Sequence, residues 1–427
     1  MSSEVKFLFE LETCLKTGDS KSLLPAFKKI LSLKRESKQN LTKNPGLTIY
    51  TPSAPQNLQS NKNILLVIHE LSRTGAPVVT LDAAKVLVKN GFFVTVITMR
   101  RGPILKDLLD IGIPVIFDRE LELTYDNKTI LEAKDYRMYI DYFINTFEKS
   151  IIVTAVYYNL IRRYLNSTTK PIFWWLHEGS ATYDSIGPFM PETITPPIQV
   201  YTGGAYALDQ LKKYSLPYPA KILNYGITDI YDQNSVSIPH DKVTFILPGS
   251  IGKRKGQKLL IDAIKNLPPQ YQENSKFIFI GDIVSEADIE GKNVKKALIS
   301  ASQALPNLEY ITSVTREELF NLYQKIDVLT LPSLDDPMPV VATEALMLEK
   351  IVLCSDHTGT SYYLEDKKNG FIFKSEDVTE LTNKIKYIIE HQDELVTIGK
   401  NGRKVYLKNF EMGIFEKNLL DIIKETT

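Results

Sequence analysis

Short, unbroken apolar runs alternate with stretches of helical periodicity, and this alternation occurs twice along the chain. An apolar run of about five residues without polar alternation reads as a strand buried on both faces. Such strands joined by amphipathic helices build a parallel sheet covered on both sides. The first series reads as strand 64–68, helix 76–89 ended by Asn90-Gly91, strand 92–98, helix 104–111 and strand 114–117, with further strands at 151–156 and 171–176. The second series starts at Val243: strand 243–247, helix 256–265, strands 277–280 and 308–311, helix 316–324, strand 328–331, helix 340–348 and strand 351–355. The expected fold is therefore α/β, with two doubly wound parallel-sheet (Rossmann-like) domains over 61–235 and 236–410 facing each other across a cleft. A helical extension and linker precede them over 1–60. A C-terminal helix over 411–427 is placed to pack back on the first domain.

In the extension, Phe7, Leu8, Leu11 and Cys14 form one helical stripe and Leu24, Phe27, Ile30 and Leu31 a second, separated by turn chemistry at Thr17-Gly18-Asp19-Ser20. Lys28, Lys29, Lys34 and Arg35 make either a solvated face or a docking face, for anionic lipid, a partner or a second copy through residues 1–40. Residues 39–62, rich in Asn, Ser, Thr, Pro and Gln, read as a linker or irregular strap. Lys plus Arg and Asp plus Glu both number 51, so no global field draws in nucleic acid. Two cysteines provide neither a disulfide framework nor a zinc spacing, which fits a reducing compartment. The first residues lack a basic start followed by an apolar run, and no apolar stretch is long enough to span a bilayer. The expected location is the cytoplasm, with at most a peripheral contact at the inner face of the plasma membrane.

In doubly wound sheets, ligands bind beyond the carboxyl ends of the strands, so the loops there carry the candidate chemistry. HELSRTGAP (69–77) follows the first strand; Gly75 either lets backbone N–H groups approach a phosphate or serves only the turn. FWWLHEG (173–179) places His177 at a strand's carboxyl end, with an unperturbed pKa near neutrality. The two tryptophans, Trp174 and Trp175, point to opposite faces of that strand and read as core. PGSIGKRKGQKLLIDAI (248–264) brings Ser250, Lys253, Arg254 and Lys255 to a loop before a helix; three cations with nearby glycines suit a diphosphate, the alternative being a solvated charge run. LPSLDDPMPVVATEAL (331–346) places Asp336 in a loop and Glu344 in the following helix, flanking Pro337-Met338-Pro339. One carboxylate then accepts from sugar hydroxyls and the other from a ribose. The Asp335-Asp336 pair, with no third ligand nearby, makes a poor magnesium site, and no metal is expected.

In this order and spacing, the four segments resemble the retaining glycosyltransferases of family four, of bacterial type and GT-B architecture. The resemblance spans about residues 63–410 and is strongest over 246–375, where RKGQ and the acidic-x7-Glu arrangement recur. It implies that the first domain binds the acceptor and the second the nucleotide sugar, a UDP-sugar by family frequency, as co-substrate without any bound cofactor. Gly75 then lies against the donor diphosphate and His177 against the donor sugar and the reacting centre. Arg254 and Lys255 neutralise the diphosphate, with Ser250 and Lys253 in the same loop. Asp336 holds sugar hydroxyls beside Pro337, Met338 and Pro339, and Glu344 holds the ribose. Thr358, Gly359 and Thr360, in SDHTGTSYYL, line the donor site. The acceptor is a glycan, a lipid-linked glycan or a protein, and the setting is cell-surface glycan or polysaccharide synthesis. Two departures stand out: many members carry an arginine upstream of the loop's lysine, where this chain has Gly249, and the first acidic residue is usually Glu rather than Asp336. They motivate an alternative, a catalytically degenerate binding or partner subunit; a nucleotide-sugar epimerase shares the same two-sheet frame.

Overall fold

The computed structural model describes residues 47–54, 56, 62–118, 121, 139–216, 218–232, 241–285 and 287–425. The helical extension read for residues 1–38, with Cys14 and the cations between 28 and 35, lies outside them, as does most of the domain boundary (233–240).

Eight described strands form the first sheet: β1 (Leu47–Tyr50), β2 (Asn63–Glu70), β3 (Phe93–Arg100), β4 (Val115–Asp118), β5 (Lys149–Val153), β6 (Ile172–Leu176), β7 (Ile198–Thr202) and β8 (Lys221–Ile222), in spatial order β1-β4-β3-β2-β5-β6-β7-β8. All pairs are parallel except β1 with β4. The accompanying helices are α1 (Gly75–Lys89), α2 (Ile104–Asp110), α3 (Tyr139–Thr146), α4 (Tyr158–Tyr164), α5 (Ser180–Ile186) and α6 (Ala205–Lys213). The second sheet holds β9 (Val243–Pro248), β10 (Ser275–Ile280), β11 (Leu308–Ile311), β12 (Val328–Leu331), β13 (Ile351–Ser355) and β14 (Phe371–Phe373), all parallel, in order β11-β10-β9-β12-β13-β14. Its helices are α7 (Gln257–Lys265), α8 (Pro269–Glu273), α9 (Ile289–Ala304), α10 (Arg316–Tyr323), α11 (Val340–Met347), α12 (Val378–Glu390), α13 (Gln392–Asn409) and α14 (Met412–Lys424). Strand order reverses at β2 in one sheet and at β9 in the other. Each sheet thus has a switch point, where a crevice forms beyond the carboxyl ends.

The buried runs of β2 and β6 show why these segments became central strands. Leu66, Ile68 and Trp175 face one core, Leu65, Val67 and Trp174 the other, so each strand is covered on both faces. The first of these cores continues through Tyr225, Ile227 and Phe410 into residues under the second sheet. Helix α14 returns to the first sheet: the Phe415 ring stacks on Trp175 with centroids 5.9 Å apart. Glu416 accepts from Lys89 at 2.7 Å and from Asn90 at 2.8 Å, and Lys149 Nζ donates to the Ile423 carbonyl. Tyr225 Oη also meets Thr343 Oγ1 at 2.7 Å, and Arg403 pairs with Asp229 at 2.6 Å.

The structure differs from the sequence reading at several elements: strands β8 and β14 and helix α9 have no expected counterpart, and the strand read at 151–156 runs over Lys149–Val153; three further differences have a local cause. Residues 47–50, expected to be part of a linker, form an antiparallel edge strand; four residues among Pro and Asn are too few to show a period. Strand β7 has no counterpart among the expected strands, because Gln199 interrupts its apolar run and prolines precede it. Helix α7 starts at Gln257, one residue later than expected, because Gly256 takes a left-handed φ of 72° after a 3-10 turn at Lys253–Lys255.

Candidate active site

The loops after β9 and β12 are in direct contact. A Cβ on Gly256 would lie 1.8 Å from the Pro332 carbonyl oxygen, so only glycine lets the cationic loop approach this closely. Leu334 N donates to the Arg254 carbonyl at 2.8 Å. Lys255 Nζ then sits 2.6 Å from Asp336 Oδ2, and Arg254 Nη1 3.7 Å from Asp336 Oδ1. The Asp336 side chain is 8% exposed, that of Lys255 17% and that of Arg254 46%. Two cations thus bracket one buried carboxylate, which leaves an excess of positive charge on the loop. Arg254 Nη1 also donates to the Asp335 carbonyl at 2.6 Å. Lys253 points outward near Glu290, and the Ser250 carbonyl accepts from Gln257 Nε2 at 2.9 Å.

Thr358, Gly359 and Thr360 are buried behind this loop and buttress it. Asp336 N donates to the His357 carbonyl at 3.0 Å and Gly359 N to the Asp336 carbonyl at 2.7 Å. A Cβ on Gly359 would fall 1.6 Å from the Pro337 carbonyl oxygen. Met338 Sδ faces Gly204 of the first domain, and Pro339 caps α11. Glu344, fully buried in α11, belongs to a separate network: Arg316 Nη2 reaches Oε1 at 2.6 Å and the Tyr323 hydroxyl donates to Oε2 at 3.2 Å. Burial pushes its pKa up, opposed by Arg316 and Tyr323. Nothing in the sequence marks Arg316, since only the tertiary fold brings α10 against α11.

The opposite wall comes from the first domain. His177 packs on Trp175, with ring centroids 4.5 Å apart, in the space left by Gly203, where a Cβ would lie 2.5 Å from Nδ1. Burial, and then His69, drive its pKa down to about 3, so the imidazole is neutral at pH 7. Its Nε2 is buried without a hydrogen-bond partner among the described residues, as is His69 Nδ1. Glu178, absent from the residues expected at the site, accepts Ala155 N–H at 2.7 Å and His177 N–H at 2.8 Å. Burial raises its pKa to about 7, against the pull of those N–H groups. It thereby ties the His177 backbone to the loop that begins at Thr154, a β-branched residue with φ of 88°. Gly75 is exposed at the start of α1, without a left-handed φ, and a Cβ there would meet nothing within 4 Å. Neither the turn nor packing demands glycine there.

The structure brings Arg254, Lys255, Asp336, Pro337 and Gly359 together. It keeps Glu344 in its own network, turns Lys253 outward and presents His177 and Gly75 from the other domain. A cavity of about 180 Å³ lined by Tyr231, Asp327 and Lys350 opens at the amino ends of β12 and β13. The open-sheet rule favours the carboxyl ends. Among the described residues no group of three or more His, Cys, Asp or Glu is arranged to hold a metal ion, and no helix is long and apolar enough to cross a membrane.

Two family models match the chain: Glycosyl-transferase family 4 over residues 60–192 and Glycosyl transferases group 1 over residues 231–405. One curated relative is an α-1,4-N-acetyl-D-galactosaminyltransferase of Campylobacter jejuni, named for a diNAcBac-PP-undecaprenol-linked substrate. It is 27% identical over 199 residues, 45% of this chain and 52% of that protein. The capsular polysaccharide biosynthesis glycosyltransferase CapM of Staphylococcus aureus is 25% identical over 287 residues, 57% of this chain and 74% of CapM. The chain spans about half the length of the first curated relatives it matches. Among solved structures, Anabaena HepE in complex with UDP superposes with a TM-score of 0.66 at 16% identity, covering 85% of this chain and 100% of HepE. Sucrose-phosphate synthase from Thermosynechococcus elongatus superposes with a TM-score of 0.68 at 16% identity, covering 85% and 98%. At that identity the two structures establish likeness of fold.

Proposed function

We propose that this chain, which belongs to the GT-B glycosyltransferases, is a retaining transferase that moves a hexose-type sugar from a nucleotide sugar, with a UDP-sugar favoured, to a glycan, lipid-linked or protein acceptor. The observation that carries the reading is the Lys255–Asp336–Arg254 cluster, held at the switch point of the second sheet by contacts that tolerate only glycine at 256 and 359. A diphosphate arriving there meets preformed cations and backbone amides that need little rearrangement. Breaking the bond between sugar C1 and the diphosphate puts negative charge on the leaving oxygen. Lys255 and Arg254 stabilise that charge most as the bond breaks, and removing one such donor typically costs roughly 10²–10³ in rate. They supply the positive charge that a metal ion provides in other transferases.

Asp336, freed from one cation as the diphosphate takes its place, accepts from hydroxyls of the donor sugar. Glu344 recognises the ribose, and Arg316 beside it favours the ionised carboxylate that can accept two hydroxyls. Neutral His177 donates or accepts through its unpartnered Nε2 at the reacting centre. Retention follows from attack on the leaving-group face, with the diphosphate taking the acceptor's proton. The open start of α1 at Gly75 supports a second contact to the diphosphate from the first domain. The proposed setting is cell-surface glycan or polysaccharide synthesis, with the chain at the cytoplasmic side; the names of the Campylobacter and Staphylococcus relatives, one for an undecaprenol-linked glycan and one for capsular polysaccharide, support the kind of product.

Thermal-shift screening against UDP-, GDP- and dTDP-sugars identifies the donor, since a ligand at 100 times its Kd adds about 2.7 kcal/mol of stability. The decisive comparison is transfer by wild type against the Arg254→Ala/Lys255→Ala double variant. Loss of transfer in a folded double variant is expected; wild-type turnover refutes the assignment. Donor binding with neither transfer nor hydrolysis in the wild type identifies a degenerate binding subunit instead.

A further inference from the structure

The two walls of the site meet at one buried carboxylate, that of Asp335. It stands on the second domain's loop, next to Asp336, yet its side chain enters the first domain. Asp335 Oδ1 accepts from Ser180 N at 3.2 Å and from the Tyr206 hydroxyl at 2.6 Å; Oδ2 accepts from Ala181 N at 2.9 Å. Asp335 is 6% exposed, and no cation of the described residues lies within 4.0 Å of its side chain. Three donors from the first domain therefore do the work of water for this charge, and such charge-assisted bonds are stronger than neutral ones. Burial, and then Asp335 itself, raise the pKa of Tyr206, which keeps its phenol a donor.

The contact shapes the residues around it. A Cβ on Gly179 would lie 2.1 Å from Asp335 Oδ1, so any side chain at 179 displaces the carboxylate. Behind Asp335, Arg254 holds its carbonyl oxygen at 2.6 Å, so the same loop segment carries the cross-domain bond and a proposed diphosphate cation. Tyr363 adds a neighbouring link, accepting from Ala205 N at 3.3 Å and donating to Asn224 Oδ1 at 2.7 Å.

We infer that Asp335 is an interdomain clasp, a positioning residue whose docking on Ser180, Ala181 and Tyr206 fixes the spacing of the two domains across the site and so sets Asp336 and Arg254 opposite His177. Opening the cleft breaks all three bonds together and returns the carboxylate to water. The clasp therefore acts as a switch between a closed arrangement, with water excluded for transfer, and an open one for exchange of ligands. As a device for transfer it rests on the proposed transferase reading; as an interdomain contact it does not.

The test uses the full chain and two variants, one on each side of the contact. Asp335→Asn keeps the shape but turns an amide NH₂ toward backbone N–H groups; Gly179→Ala leaves Asp335 intact and displaces it. Small-angle scattering and interdomain fluorescence transfer are measured with and without saturating UDP, alongside turnover. Both variants, with wild-type circular dichroism, are expected to have a larger radius of gyration in UDP. They should lose about tenfold or more in transfer kcat, equivalent to about 1.4 kcal/mol, with a larger share of donor hydrolysed by water and UDP affinity within about threefold of wild type. Wild-type interdomain distances in both variants overturn the clasp. Faster transfer in either variant overturns its productive role. Should the wild type transfer no sugar, the transferase reading fails, and scattering still decides the clasp.

Discussion

Lys255→Met separates what the cationic loop does for the fold from what it does for the reaction. The ammonium is 2.6 Å from an Asp336 carboxylate that is only 8% exposed, so the substitution leaves a buried charge with one partner removed. Breaking a fully buried pair in this way costs about 3–5 kcal/mol. Here Lys255 is 17% exposed and Arg254 remains 3.7 Å from the other carboxylate oxygen, so the low end, about 3 kcal/mol, is an upper bound. Loss of the cation from the leaving-group side costs a further roughly 10²–10³ in rate. Adding Asp336→Asn to Lys255→Met removes the stranded charge: stability measured by denaturant titration should recover most of the loss, while turnover measured by UDP release stays down. The two readouts therefore move apart in the double variant. If the double variant regains both stability and turnover, or if Lys255→Met retains turnover within about threefold of wild type, the loop is a structural ion pair and the catalytic reasoning is wrong.

Other consequences can be checked on the same protein. Gly75→Ala should leave stability unchanged or slightly raised, because a Cβ there meets no atom within 4 Å and φ is not left-handed, whereas Gly75→Asp should weaken UDP binding by more than about tenfold; normal UDP affinity in the Asp variant removes Gly75 from the site. Glu344→Ala should remove the carboxylate shared by Arg316 and the Tyr323 hydroxyl, leaving that hydroxyl only the Val341 carbonyl at 3.4 Å, at a cost of about 1–3 kcal/mol, and weaken UDP about tenfold or more by calorimetric titration; an unchanged Kd places the ribose elsewhere. His177 is held neutral down to about pH 3, while in the unfolded chain it takes a proton below about pH 6.5. The unfolded state therefore binds the extra proton in that window, and stability falls as pH drops through it. Relative to His177→Gln, the wild type should lose up to about 2 kcal/mol between pH 7 and pH 5; parallel pH profiles for the two proteins show that the imidazole is not buried neutral.

The central strands are legible because β2, β3, β9, β10, β12 and β13 are apolar on both faces, and a continuous run needs no partner to be recognised. The edge strand β1 and the polar-interrupted β7 are not, since their pairing is decided by a neighbouring strand. At the site, Lys255 and Asp336 can be read as partners because both follow strands that the doubly wound order makes adjacent. Gly256 and Gly359 look like loop glycines; their actual constraint, a backbone carbonyl less than 2 Å from any Cβ, is visible only in three dimensions. Arg316, Glu178 and Asp335 escape notice for the same reason. Each acts on a residue that the sequence does flag, across a contact between elements far apart in the chain, and Asp335 reads along the chain only as half of a poor metal pair. The direct adjacency of Glu178 to His177 is the one available signal, and its buried bonds to two backbone N–H groups give it meaning only once β5 and β6 are seen side by side.

The most direct test is a crystal structure of the chain with UDP bound. The diphosphate should lie within about 3.2 Å of Lys255 and Arg254, face the start of α1 at Gly75 across the cleft, and have its ribose at Glu344. UDP bound away from the β9 loop, or a diphosphate at the right place with Lys255 still closed on Asp336 and no cation contacting it, contradicts the account.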